Sequence, residues 1–365
     1  MNPRERFNAV ARFREPDRPF LWGDGMWPET AARWREEGWD GRPFNQLFPE
    51  DSILQPPGEP RPISAGPWPP FERRVIDETD ETVTYVDEDG IVRREFKGDK
   101  GWSSMPQFVK YPVETEGDFD KLARDRLAPK VEERLPGNWD DKVGEWKYRT
   151  APLLYFAGRW GGFFGPLRNL VGIKRLCTLF YEKPEFVERM MDQRVEVLLA
   201  ILGRILDDVD LDVFGFWEDM AYRTGPLLSP DMFREFMFPR YRIVCDYLRS
   251  RGVELICVDS DGDVRTLIPL WLKAGVNGIW PLEVQANMDV VELRRRYGRE
   301  LVMIGGIDKR SLAKGRREIE AEVDRVWPVV ETGGYFPHLD HSVPPDVSWE
   351  NFCHYQRYRA RKAGL

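Results

Sequence analysis

The chain has 365 residues, 42% hydrophobic and 32% charged, a balance that sets aside disordered and fibrous classes. Its 62 acidic and 54 basic residues leave a formal charge of -8, which disfavours a nucleic-acid or anionic-membrane partner, since both need a clustered positive surface. No apolar run approaches the roughly 20 residues of a membrane span, and the opening MNPRERF has no leader character, so a cytoplasmic protein is expected.

Pro3 to Arg12 has helical character and is broken by Glu15-Pro16-Asp17-Arg18-Pro19, after which Pro19 to Trp22 reads as a first strand. Ala31 to Glu37 is a short amphipathic helix. Pro and Gly dominate from Pro56 to Pro70, and from Glu72 apolar and polar residues alternate around Asp89-Gly90, the turn dipeptide of a β-hairpin. This predicts an antiparallel β insertion over residues 56–112 within one domain spanning 1–365. Helix resumes at Asp118 to Ala123, and residues 129–149 read as a surface connection.

Beyond residue 150, strands are expected at 153–156, 213–216, 255–258, 278–282, 301–304 and 335–337, each followed by a helical pattern. The helix at 184–206 spaces Phe186, Met190, Val195, Leu198, Leu202 and Ile205 as a buried face. Ser229 and Pro230 mark the start of another. With the strand at Phe20 this approaches an α/β (β/α)8 TIM barrel, the missing strand lying between residues 46 and 112. A doubly wound sheet is the alternative, but no GxGxxG follows any strand. Cys177, Cys245, Cys257 and Cys353 lack CxxC spacing and read as reduced thiols.

In a barrel, the residues just past each strand converge on one pocket. Here they are Arg159 and Trp160; Trp217, Glu218, Asp219 and Tyr222; Asp259 and Asp261; Trp280 and Glu283; Asp308 and Lys309; and His338, Asp340 and His341. A carboxylate-rich mouth with histidine suits a divalent metal, a general acid/base pair or a cationic ligand. Asp259, Asp261, Glu283 and His341 form an oxygen-dominated set for a metal. The alternative makes Asp263 a helix cap, leaves the other two acids solvating a turn, makes His341 a hydrogen-bonded structural residue, and pairs Asp308 with Lys309.

The segments MNPRERFNAVARFREPDRPF, LLSPDMFREFMFPRY (227–241), VMIGGID (302–308) and LDHSVPPDVSWENF (339–352) carry a resemblance to the uroporphyrinogen decarboxylase superfamily, which includes the decarboxylase and corrinoid-linked methyltransferases. The resemblance runs over nearly the whole chain and implies a (β/α)8 barrel, often dimeric. In the thiol-methylating branch a His-x-Cys strand end and a later Cys hold zinc; those positions fall here on Asp259, Asp261 and beside Leu339. The decarboxylase branch carries an N-terminal Arg motif, where this chain reads LWGDGMWPETAARW, while Leu339-Asp340-His341-Ser342 aligns with that branch's LGHG-like segment. A mouth lined by Asp24, Glu218, Asp259, Asp261 and Glu283 is expected to repel a polyanionic porphyrinogen.

The resemblance therefore implies a methyltransferase that works with cobalamin on a separate corrinoid protein, the chain having no cobalamin-binding domain of its own. In that reading His341 and Asp259 or Asp261 act as acid/base groups or metal ligands, and Glu218, Asp219 and Tyr222 orient the methyl donor. Trp22, Trp160, Trp217 and Trp280 pack around it, with Asp24, Arg159, Lys309 and His338 beside them. A decarboxylase of a porphyrinogen or a smaller acid, and a non-catalytic ligand-binding protein on the same scaffold, are the alternatives.

Overall fold

The computed structural model describes residues 1–55, 63–97 and 106–365. Helix α1, Pro3–Ala11, starts from an Asn2 cap completed by Glu5, with Pro3 in its first turn. Helix α2 spans Pro28–Glu36. Four strands follow, β1 (Arg74–Glu78), β2 (Thr82–Val86), β3 (Val92–Phe96) and β4 (Gln107–Lys110), paired antiparallel in that order. Between β2 and β3 the chain reverses at Gly90, whose φ of +82° suits a residue without a Cβ. Of the β segment expected over 56–112, residues 56–62 and 98–105 lie outside the described residues.

Helix α3 covers Glu116–Asp125. The stretch 129–149, expected as a surface connection, folds instead into α4 (Val131–Arg134) and α5 (Trp139–Lys147). The reason is a spacing of seven: Trp139 and Trp146 fall on one helix face, are buried, and meet edge to face at 5.5 Å. The surrounding charge hides that pattern from a composition reading.

A parallel α/β unit follows. It begins with β5 (Leu154–Phe156), α6 (Phe164–Val171), α7 (Ile173–Glu182) and α8 (Pro184–Asp208). Next come β6 (Val213–Trp217), a small ribbon of β7 (Ala221–Tyr222) and β8 (Gly225–Pro226), and a helix that starts at the expected Ser229 cap. That helix runs as α9 (Pro230–Met232), a π-helical turn Phe233–Met237 and α10 (Phe238–Ser250). Pro239 lacks an N–H and crowds the preceding turn, and the wider π turn accommodates it. The chain closes with β9 (Leu255–Asp259), α11 (Ile268–Ala274), β10 (Gly278–Trp280), α12 (Val290–Tyr297), β11 (Val302–Ile307), α13 (Lys309–Leu312), α14 (Arg316–Val330), β12 (Tyr335–Leu339) and α15 (Trp349–Lys362).

The six long-range strands form one parallel sheet in the order β12-β11-β10-β9-β6-β5. Both edges carry extended chain. Beyond β12, Val343 N donates to Gly25 O (2.9 Å); beside β5, Leu54 N donates to Pro152 O and Leu154 N to Leu54 O (both 2.8 Å). Asp51 N, bonded to Leu21 O at 2.8 Å, joins the two segments. Neither segment is a regular strand; the expected one, Pro19 to Trp22, begins at a proline without an N–H and is followed by Gly23 and Gly25. Among the described residues, the expected strand between residues 46 and 112 is represented in the parallel sheet only by an isolated bridge of Leu54 with Leu153.

Side chains alternate across the sheet. One face places Leu154, Val213, Leu255, Cys257, Val302, Ile304 and Phe336 in a cluster with Phe20, Trp22 and the α1 residues Phe7 and Val10. The other packs Tyr155, Phe214, Ile256, Ile279 and Met303 toward the helices in a much larger core. Gly215 makes the first face possible: a Cβ there would lie 1.9 Å from the Phe156 ring.

Candidate active site

The alternation that sends Leu255 and Cys257 to the inner face sends Asp259 there too, at the C-terminal end of β9. Its register partners are Trp217 on β6 and Trp280 on β10, so the carboxyl stands in a row between two indoles. Trp280 meets Phe156 at 5.4 Å and Trp22 at 5.5 Å, and His338 at 6.3 Å. Asp259 thus ends its strand beside Trp217 and Trp280, and Trp280 packs on the rings of Phe156 and Trp22. Burial, then the neighbouring charges of Asp261 and Asp219, push the Asp259 carboxyl well above the ordinary carboxylate range.

At the rim, Asp261 Oδ2 lies 3.7 Å from His341 Nε2, and the imidazole stacks on Trp27 at 5.8 Å. Burial raises the Asp261 carboxyl, with His341 opposing and Asp219 and Glu283 adding to the shift. Asp219 takes φ +45°, an uncommon backbone for a non-glycine residue, and Arg168 clamps both its carbonyl (2.8 Å) and its carboxylate (2.7 Å). A cleft of about 530 Å³ opens here between β4, α6 and the strand ends, with Tyr111, Tyr222 and Asp261 on its walls. Tyr222 is exposed.

Several expected site residues are placed elsewhere. Glu218 is fully buried: its carboxylate accepts from Phe163 N (2.9 Å), Gly165 N (3.0 Å) and Tyr241 Oη (2.5 Å), holding the start of α6. Burial pushes it up to about 7. Gly162 is required beside it, since a Cβ there would approach Glu218 Oε1 to 2.8 Å. Asp24 is also buried, accepting from Leu339 N and Gln356 Nε2 (2.9 Å each) and pairing with Arg359 at 3.1 Å. The expectation of both acids at the mouth is thus corrected, because each saturates backbone or helix donors behind the sheet. Lys309 lies 3.7 Å from Asp340, while Asp308 pairs with Arg310. His338 Nε2 faces Gly23 O at 3.0 Å. Trp22 is buried beneath Trp280, and Trp160 is buried with Nε1 on Asp89 at 2.8 Å.

The electrostatics of the mouth also differ from the expectation. Arg159 and Arg168 both lie over the Trp217 ring, at 5.8 and 5.0 Å, and Arg73 and Arg93 arrive from the antiparallel sheet. Only Arg159 was readable from its position after a strand. Arg168 stands in the last turn of α6, and the sheet arginines reach the mouth through tertiary placement.

A family model described as uroporphyrinogen decarboxylase (URO-D) matches residues 103–359. The chain belongs to the uroporphyrinogen decarboxylase family. Within it, the uroporphyrinogen decarboxylase of Alcanivorax borkumensis is 23% identical over 186 residues, 49% of each chain. That of Azotobacter vinelandii is 25% identical over 178 residues, covering 47% of this chain and 46% of the relative. The chain spans about half the length of the curated relatives it matches. A solved methyltransferase from Methanosarcina mazei shares the fold, with a TM-score of 0.59 at 16% identity over 99% of both chains.

The metal set expected from the sequence is not assembled in this family member. Glu283 accepts from Gly262 N at 3.1 Å and from Gln285, and Asp259 is recessed between the indoles. Among the described residues no three His, Cys, Asp or Glu groups come together as a metal would need. The donors do not fit a resident divalent ion. No helix among the described residues is long and apolar enough to cross a membrane.

Proposed function

We propose that this chain takes a methyl group from a small-molecule donor at the strand ends and passes it to a corrinoid carried by a separate protein. The observation that supports this best is Asp259: a carboxyl kept neutral between Trp217 and Trp280 can protonate the atom from which the methyl group departs. The donor's C–O or C–N bond breaks with its electron pair left on the heteroatom, which takes the Asp259 proton as the methyl group moves to the acceptor. The corrinoid is the second substrate and supplies the nucleophile. Phe156, Trp217 and Trp280 surround the methyl group and exclude water. His341 and Asp261, paired at the rim, return a proton to Asp259.

The same reading takes the parallel sheet and the extended segments 20–26 and 51–54 as one (β/α)8 barrel. It takes 56–112 as an insertion over the barrel mouth within a single domain spanning 1–365. The end-to-end likeness to a solved methyltransferase supports it at the level of fold. The test is incubation with cob(I)alamin and a panel of methoxylated aromatics and methylamines, followed by visible spectroscopy. Formation of methylcobalamin is expected; no product with any donor and no spectral response to cobalamin would refute the proposal. The curated relatives favour a second reading, in which Asp259 protonates the carbanion left by decarboxylation. Release of carbon dioxide from a porphyrinogen or a smaller acid would establish that reading instead.

A further inference from the structure

A second cleft, of about 460 Å³, lies between the antiparallel sheet and the loop after β5. Three guanidinium groups line it: Arg73 over the Tyr85 ring at 4.2 Å, Arg93 over Phe108 at 5.3 Å, and Arg159. Arg159 spends one nitrogen on Asn169 Oδ1 (3.0 Å), and its Nη1 stands 3.9 Å from Asp89, beyond a hydrogen bond. Arg93 pairs with Asp87, yet its Nε is buried with no hydrogen-bond partner among the described residues.

Behind the cleft wall the cationic character deepens. Arg194, fully buried, lies 5.6 Å over the Trp160 ring and donates only to the carbonyls of Ala65 and Trp160. Its Nε and Nη1 have no partner among the described residues. Arg134 bonds the carbonyls of Ser64 and Gly66 beside it. Guanidinium groups compensated by carbonyls leave a positive field that burial strengthens. On the acidic side, Asp87 is engaged by the amides of Asp89 and Ile91, and Asp89 by Trp160 Nε1.

We propose that this cleft is a subsite for a single carboxylate carried by the substrate, gripped by Arg159 and Arg93 on the far side of Trp217 from Asp259. The inference rests on the reaction-centre reading only for that orientation. Planar guanidinium forks match a carboxylate with two parallel hydrogen bonds. Asp87, Glu88 and Asp89 on the same wall disfavour a dianion, so the site selects one negative charge over two.

Equilibrium dialysis of the full chain with 4-methoxybenzoate and its neutral isostere 4-methoxybenzamide tests this without any turnover. The acid is expected to bind at least tenfold more tightly than the amide. Arg159→Gln and Arg93→Gln should each remove most of that preference, while Arg316→Gln, in an exposed pair with Glu350, should leave it unchanged. If either variant fails to fold, Arg159→Lys keeps the charge without the fork and should retain part of the preference. Equal affinity for acid and amide, a preference that survives both substitutions, or parallel loss of both ligands would overturn the subsite. Inorganic phosphate displacing the acid more effectively than acetate would overturn its single-charge selectivity. A chain that transfers no methyl group but shows the arginine-dependent preference would refute the functional proposal and leave this one standing.

Discussion

Glu218→Gln tests whether this acid belongs to the chemistry or to the scaffold. In the structure its carboxylate is sealed from solvent, binds the amides of Phe163 and Gly165 at the start of α6 and Tyr241, and has its pKa raised by burial to about 7 from 4.5. A folded-state value above the unfolded one means the native chain holds a proton that the unfolded chain has released. The associated stability is present below about pH 4.5 and is lost as pH rises to about 7. That difference corresponds to about 3 kcal/mol. The amide side chain does not titrate, so the stability of wild type minus that of Glu218→Gln should fall by about 2–3 kcal/mol between pH 5 and pH 8. Urea unfolding followed by tryptophan fluorescence at several pH values measures it. Other groups, such as Glu50, which burial also pushes up to about 7, cancel in the difference because both proteins carry them. A wild-type-minus-variant difference that stays constant or rises with pH would refute the assignment of Glu218 as a buried, protonatable anchor of α6.

Asp259→Asn should leave the thermal melt near neutral pH nearly unchanged and lower methyl transfer by about 10²- to 10⁴-fold, measured as initial rates of methylcobalamin formation. Wild-type activity should fall as rising pH ionises Asp259, and His341→Gln should lower kcat more than it raises KM for the methyl donor. Gly215→Ala should cost on the order of 1–3 kcal/mol in urea unfolding, because the added methyl enters the space of the Phe156 ring.

The strand–helix alternation after residue 150 was readable because buried parallel strands leave short apolar runs between amphipathic helices. Asp259, Trp217 and Trp280 were readable as strand-end residues, and strand parity places all three on one face. The segment beside β12 was expected as a strand at Pro19 to Trp22 and is extended but irregular, whereas the one at Leu54 was not located, since it bonds to neighbouring backbone without the residue pattern of a strand. Position after a strand also failed to separate Asp219, at the rim, from Glu218, which turns outward by alternation and anchors α6. Arg93 and Arg73 reach the mouth because a distant hairpin folds beside it, a long-range contact invisible to local reading.

The glycines and rings of the inner face carry a last consequence. Trp280 packs on Phe156 and Trp22 beside Asp259, so in the proposed reaction a guest inserts only its reacting end. The rest of the molecule must rest against the hairpin sheet. Under the proposed function, which compounds are admitted is decided on residues far from the acid in sequence, so selectivity can drift by surface substitution in that sheet while Asp259 and its neighbours stay fixed.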